Sequence, residues 1–138
     1  MFRMREISPA ETLQLLTGGY LLARCVQVVA DLGVADHIDS RPVAVTDLAS
    51  KTGSEPEALN RVMSLLSAHG IFDGKDGEYV HTPASRLLRS DDPHSMRSFV
   101  RMFGLPFFWQ AAMKLDQGAR CYSGARRKGP SRIPCERP

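Results

Sequence analysis

The stretch VTDLASKTGSEPEALNRVMSLLSAHGIFDGKDGEYV, residues 45–80, decides the fold. A helix capped by Thr46 runs through Lys51, and Thr52-Gly53 makes a tight turn. Ser54, with Glu57 three residues on, forms a capping box for a helix reaching His69. Leu59, Val62 and Leu66 lie at core spacing on that helix. Gly70 is placed as its left-handed cap, with His69 at the negative end of the dipole. Ile71-Phe72 and Glu78-Tyr79-Val80 then read as short strands around Asp73-Gly74-Lys75-Asp76-Gly77, a hairpin or wing. This order is that of a winged helix, an arrangement widely used to read DNA. The charge is wrong for that use: Lys51, Arg61 and Lys75 face six acids (Asp47, Glu55, Glu57, Asp73, Asp76, Glu78), a net of −3.

Working outward, Ser8-Pro9-Ala10-Glu11 is a helix start with its own capping box. The helix that follows, to about Asp31, is apolar around most of its circumference. Leu13, Leu16, Tyr20, Leu22, Cys25, Val26, Val28 and Val29 leave only a strip near Thr17, Arg24, Gln27 and Asp31 polar. A surface helix needs a single apolar stripe. This one is expected to be covered on two sides, either as a central core helix or as a dimer-interface helix, the reading favoured here. Its polar interruptions argue against an ordinary membrane span, and no signal peptide is visible, so the expectation is a cytoplasmic chain without membrane contact. Val34 to Ile38 makes a short helical turn. Downstream, Thr82-Pro83 caps a helix through Leu88, and Asp92-Pro93 opens a helical stretch with Met96, Phe99, Val100 and Phe103. Pro106 begins the last helix, with Phe108, Trp109, Ala112 and Leu115.

At 138 residues the chain has room for one core. Its formal charge of +3 hides an asymmetry. Residues up to Gly118 carry 12 Lys/Arg and 14 Asp/Glu, whereas Ala119 to Pro138 carry six and one, so the basic excess lies at the end. That end is rich in Gly, Pro and Arg, with Ile133 its only large aliphatic. It cannot offset an ordering entropy of ~1–2 kcal/mol per residue, and residues 118–138 are expected to be a disordered basic tail after a domain spanning 8–117. Arg126-Arg127-Lys128 there reads as solvated. Cys25 reads as a small buried hydrophobe, and Cys121 and Cys135, with no His between them, give no metal motif.

The ordered set of elements resembles the N-terminal dimerisation domain of S-adenosylmethionine-dependent small-molecule O-methyltransferases, of the plant-phenolic and bacterial polyketide or carotenoid type. The residues carrying the resemblance run from Leu15-Leu16-Thr17-Gly18-Gly19-Tyr20 through Ala30-Asp31-Leu32-Gly33-Val34-Ala35-Asp36-His37-Ile38 and Asp47-Leu48-Ala49. They continue in Leu59 to Leu66, Gly70-Ile71-Phe72, Tyr79 to Ser85 and Trp109 to Leu115, and so cover roughly Ala10 to Leu115. The resemblance implies a mainly α, winged-helix-like domain with a small β-hairpin, interlocked as a homodimer through the first helix. It also implies a share in the roof of a substrate pocket. By position Met102, Phe103 and Phe107 would line it, with Tyr20 reaching the partner's pocket; ordinary core packing is the other reading of all four.

The departures weigh as much as the match. Such enzymes go on to a Rossmann-like domain with a Gly-rich cofactor loop after a strand, and to a His general base. Here Gly18-Gly19 falls within a helix and Gly74 and Gly77 within a hairpin. His37, His69, His81 and His94 stand at element ends in no catalytic motif. No catalytic, cofactor-binding or metal residue is therefore expected in this chain, and S-adenosylmethionine is implied only for a longer parent. Two other readings remain: a winged-helix transcription regulator, in which Asn60 and Arg61 would read bases, and a stand-alone dimerising interaction protein. DNA binding rests on roughly six to ten phosphate contacts, and the exposed side of the Ser54–His69 helix offers Arg61 as its one cation, so no nucleic-acid partner is expected.

The break in composition after Gln117 fits an out-of-frame continuation of a GC-rich methyltransferase gene. Translating the underlying DNA in its other two frames is expected to reveal a cofactor-binding domain downstream; its absence from both frames ends that idea.

Overall fold

Helix α1, Pro9–Leu32, begins where a capping box closes its first turn. In the computed structural model, which describes residues 8–122, the Ser8 amide donates to Glu11 Oε2 at 2.7 Å and the Glu11 amide to Ser8 Oγ at 3.2 Å. Two amides that a helix start leaves unpaired are thereby satisfied. Gly33 ends the helix at φ 69°, in the left-handed region that glycine enters without a Cβ clash. The expected turn after it is a 3₁₀ helix, Val34–His37.

The winged helix is present, with several of its details moved. Strand β1, Val43–Ala44, was not expected; two residues are too few to show an alternation. Helix α2, Val45–Thr52, has Ala44 as its N-cap and no side-chain cap, so Thr46 does not serve. Helix α3 is Pro56–Ala68, and its cap is Glu55, not Ser54. Glu55 accepts from the amides of Glu57 and Ala58 at 3.1 and 2.6 Å, and those two bonds hold its carboxyl below the usual range. Ser54 Oγ lies 2.9 Å from Thr52 Oγ1 instead. The reason is Pro56, whose fixed φ suits the first helical position and moves the start one residue on. His69 and Gly70 end α3 as read, Gly70 at φ 73°.

The wing is longer than its sequence showed. Strands β2, Phe72–Lys75, and β3, Glu78–His81, pair antiparallel with Phe72 opposite His81 and Gly74 opposite Tyr79. Only Asp76 and Gly77 make the turn, both at positive φ (53° and 80°), the two-residue geometry that suits the twist of a hairpin. β1 adds to the far side of β3, so the order is β1-β3-β2. On the wing's face towards α3, the Tyr79 ring lies over Gly74, and its hydroxyl donates to Asn60 Oδ1 at 2.7 Å.

The core gathers the second half of α1 (Val29, Ala30), the 3₁₀ turn (Val34, Ala35), α2 (Leu48, Ala49), α3 (Leu59, Met63, Leu66) and the wing (Phe72, Tyr79), with Ile38 and Leu88. Gln27, read as part of the polar strip, is 5% exposed. Its carboxamide oxygen accepts from Arg24 at 3.4 Å, so burial does not leave that oxygen bare. α1 is long and apolar enough to cross a membrane by length and composition alone, despite its polar interruptions; the burial of Val29 and Ala30 marks its second half as a core helix. Helix α4 is a single turn, Pro83–Arg86, shorter than read, with a Thr82–Ser85 capping box. Helix α5, Arg97–Phe103, follows a turn in which Asp92 Oδ1 accepts from the His94 amide at 2.7 Å.

A second compact unit begins at Leu105 and comprises α6, Pro106–Met113, and α7, Leu115–Tyr122. α7 thus continues five residues past Gln117, the expected boundary. Bonds such as Gly118 N–H to the Lys114 carbonyl, at 3.1 Å, are local and need no apolar burial. The rest of the expected tail, 123–138, lies outside the described residues.

Gly74 is the tightest backbone position of the wing, because a Cβ there would overlap the Tyr79 ring. Gly74→Ala is expected to cost about 1–3 kcal/mol through overpacking, read from urea unfolding midpoints. An unchanged midpoint would show that Tyr79 does not need the space.

Candidate functional site

Three surfaces of the first unit carry side chains that its own core does not use. The first is the leading half of α1. Leu13, Leu15, Leu16, Tyr20 and Leu21 are all more than half exposed, Leu16 at 73%. The same sequence that is apolar all round is thus covered only from about Leu22 onward. A groove of about 350 Å³ runs beside this half, with Leu15, Gly18 and Leu22 on one wall and Leu65 and His69 on the other. Gly18 and Gly19 sit inside a helix, where glycine costs roughly 0.5–1 kcal/mol against alanine, and among the described residues nothing beyond the surrounding helix backbone and chain neighbours lies within 4 Å of a Cβ built at either. No packing among the described residues requires them.

The second surface is the outer face of α3 with the wing, where a DNA reader would grip. Arg61 is paired with Glu57 one turn away. Asn60 accepts from the Tyr79 hydroxyl, and Ser64 Oγ lies 3.1 Å from the same hydroxyl. Both side chains suited to reading bases are therefore engaged within the domain, and Glu55 and Glu57 stand exposed beside them.

The third surface is α5. Two arginines one turn apart fasten it to the end of α1. Arg97 donates through Nε to the Ala30 carbonyl at 2.8 Å and through Nη1 to Asp36 Oδ2 at 2.7 Å. Arg101 Nε donates to Asp31 Oδ1 at 2.8 Å. No basic residue lies in the last turn of α1; Arg97, from 67 residues away in sequence, supplies the positive charge that the dipole favours there. Neither arginine was singled out from the sequence. The only signal was their spacing of four, which places both on one helix face.

This fastening leaves the other face of α5 outward. Met102 and Phe103 are 41% and 42% exposed, and the Phe103 ring meets Phe99 edge-on at 5.0 Å. Tyr20 is 65% exposed on α1. Phe107, 72% exposed, opens α6 in the second unit and meets Phe108 edge-on at 5.6 Å. None of the four residues named for the pocket roof is buried in the core. Met102 and Phe103 share one turn, while Tyr20 stands on a different helix.

The corner joining β3 to α5 holds a histidine in a defined setting. His81 Nε2 lies 3.0 Å from the Ile38 carbonyl and Nδ1 lies 2.9 Å from Ser85 Oγ, so Nε2 carries the proton of the neutral ring. Burial holds its pKa below the usual imidazole range; the bond to Ile38 opposes that, and the charge on Arg89 reinforces it. Ser85 is fully buried and already accepts from the Thr82 amide at 2.9 Å. The Ser85 hydroxyl is therefore a structural partner of the ring, enclosed and already bonded to the Thr82 backbone. Burial likewise pushes the Cys25 thiol up, as for an inert core cysteine.

Residues 14–91 match the O-methyltransferase dimerisation domain. The chain belongs to that family. It is 38% identical over 93 residues to a phenazine O-methyltransferase of Lysobacter antibioticus, an alignment covering 67% of this chain and 27% of that protein. To a phenazine-1-carboxylate N-methyltransferase of Pseudomonas aeruginosa it is 42% identical over 97 residues, 69% of this chain and 28% of the other. Among solved structures, LaPhzM superposes with a TM-score of 0.76 at 30% identity, over 83% of this chain and 34% of that one. The N,N-8-amino-8-demethyl-D-riboflavin dimethyltransferase of Streptomyces davawensis gives 0.72 at 27%, over 83% and 34%. The chain thus spans about a third or less of the length of these relatives. Within the dimerisation domain, the matched segment contains the exposed leucines of α1 from Leu15 on, the whole wing, and the Asp36 end of the Arg97 pair.

Arg97 and Asp36 are each less than a third exposed, so their pairing is not a loose surface contact. Arg97→Met is expected to lower stability by about 1–3 kcal/mol, since it strips a charged donor from a carbonyl and a carboxylate. Amide exchange in α5 should accelerate first. Undiminished protection there, in a folded variant, would show that α5 is held by apolar packing alone.

Proposed function

We propose that this chain is the dimerisation and substrate-lid domain of an S-adenosylmethionine-dependent O-methyltransferase, acting in the cytoplasm on a small hydroxylated molecule of aromatic, polyketide or carotenoid-like type. The observation that carries the reading is the uncovered first half of α1. Five large apolar residues stand more than half exposed on it, within a domain whose family is defined by dimerisation. A two-fold interface needs a patch that is complementary to itself. A long helix with leucines on several sides and two glycines at its middle meets that need, because a second copy of the helix can approach closely at Gly18-Gly19.

The lid part of the proposal rests on Met102, Phe103 and Phe107, with Tyr20 directed to the partner. All four are large, apolar or amphipathic, and accessible, which suits contact with an aromatic ring. In such an enzyme the substrate hydroxyl loses its proton to a base and attacks the methyl group of the cofactor. Among the described residues the glycine pairs lie in a helix (Gly18, Gly19) or a hairpin (Gly74, Gly77), where neither forms a loop between a strand and a helix. We therefore assign cofactor binding and the base to a separate domain, and this chain to shape and pairing.

Sedimentation equilibrium of the 138-residue chain is expected to give a dimer, and Leu16→Asp a monomer with unchanged helical content. A monomeric wild-type chain overturns the pairing. Incubated with S-adenosylmethionine and phenolic acceptors, the same chain is expected to transfer no methyl group; measurable turnover overturns the division of labour.

A further inference from the structure

The corner between β3 and α5 brings an imidazole and a guanidinium to one carbonyl. His81 Nε2 and Arg89 Nη1 each lie 3.0 Å from the Ile38 oxygen. The two groups are therefore separated by no more than twice that distance. Through the same contacts the corner is attached to the winged-helix body: Arg89 also reaches the Ala35 carbonyl at 3.5 Å, the Ser90 amide donates to Asp36 Oδ1 at 2.7 Å, and His81 holds Ser85 of α4. We propose that this knot is an acid-release catch, in which protonation of His81 loosens the Pro83–Ser90 corner from which α5 departs.

The neutral ring fits its place because one nitrogen donates to a carbonyl and the other faces a hydroxyl. Protonation leaves the bond to Ile38 intact, and the Ser85 hydroxyl can turn its proton to the Thr82 carbonyl, 3.2 Å away. Hydrogen bonding is thus not what opposes the second proton. The opposition comes from placing a cation in a half-buried site already occupied by Arg89, with Arg86 on the neighbouring turn. Unlike charges are present as well. Asp91 grips Arg89 through both oxygens, at 2.7 and 2.8 Å, and that pairing holds its carboxyl below the usual range. Asp36 is committed to Arg97 and the Ser90 amide. Asp39 and Asp92 line the cavity beside the ring, with Arg86 and Arg89. Phe72, stacked on His81 at 6.5 Å, closes the side towards β2 and brings no charge.

The sign follows from the lowered pKa. A closed corner that disfavours the charged ring is fully stable above about pH 6.5, the ordinary imidazole value, and loses that stability as pH falls from there through the closed-state pKa. Opening exposes the ring to water, where it takes up its proton. Each unit separating the two pKa values appears as a tenfold change in the opening equilibrium. The catch rests on the fold alone, so it stands or falls separately from the methyltransferase reading.

The test is an NMR titration of the full chain, with imidazole shifts for His81 and amide exchange corrected for its intrinsic pH dependence. His81 is expected to titrate below 6.5 as the Nε2–H tautomer. Between pH 7 and pH 5, protection of the Arg86 to Ser90 amides is expected to fall about tenfold per unit of pKa difference, while that of Leu59 to Leu66 holds. His81→Gln should remove this pH dependence. Arg89→Gln should move the His81 titration upward, a change that loss of packing alone would not produce. Titration of His81 at or above 6.5, uniform loss of protection across the domain, or no response to Arg89→Gln would each overturn the catch.

Discussion

The structure depends on how α1 is shared. Its last turns, from Cys25 to Ala30, are buried by α3, α5 and the 3₁₀ turn, and this is what gives the winged helix a third wall. Together with α2, the wing and the two-residue strand β1, these turns enclose Met63 and Leu66 of α3. The first turns of the same helix receive no such cover. A unit of this size exposes a large share of its surface whatever its sequence. Even so, a row of exposed leucines is unfavourable in water, and both halves belong to one continuous helix, Pro9–Leu32. Burying one end fixes the direction in which the other is presented.

The arginines of α5 follow from that arrangement. The buried end of α1 offers unpaired carbonyls and no cation of its own, and Arg97 fills the gap from a distant part of the chain. Because Arg97 and Arg101 occupy one face, the opposite face with Met102 and Phe103 must turn outward. The exposure of Met102 and Phe103 thus follows from how α5 is fastened to the end of α1. On the other flank, the His81 and Arg89 contacts with Ile38 set where the corner leaves the sheet, and so where α5 begins.

What could be read in the sequence was what local rules govern. The Ser8 capping box, the Gly70 cap and a hairpin within Asp73–Gly77 are decided within a few residues, though the choice of Asp76-Gly77 over Asp73-Gly74 for the turn was not legible. Ser54 misled because two rules compete there: a capping box on Ser54 and a proline at the first helical position. The proline won, since its φ is fixed while the serine hydroxyl has another partner in Thr52. Strand β1 was hidden because its two residues become a strand only by pairing with β3. The clasp of Arg97 on Asp36 was equally hidden, since 61 residues separate them and neither stands out alone. Gln27 was misplaced for a related reason: a polar side chain was assigned to a polar strip, whereas the neighbouring Arg24 makes its burial tolerable. For the candidate site, the types and positions of Tyr20, Met102, Phe103 and Phe107 were visible, but their accessibility was not. Periodicity gives one answer for a buried aromatic stripe and an uncovered one.

The wing shows how a recognition fold can be spent on its own interior. In a DNA reader the outer side of α3 must keep its polar groups free for bases and its charges free for phosphate. Here Asn60 and Ser64 are drawn to the Tyr79 hydroxyl, and Tyr79 can reach them because Gly74, across the strand pair, leaves room for the ring to lie flat. Arg61 is matched by Glu57 on the same helix. The negative balance of residues 45–80 is therefore accompanied by a structural commitment. Asn60 and Ser64 tie α3 to the wing through Tyr79, and restoring positive charge to this face would leave those ties in place.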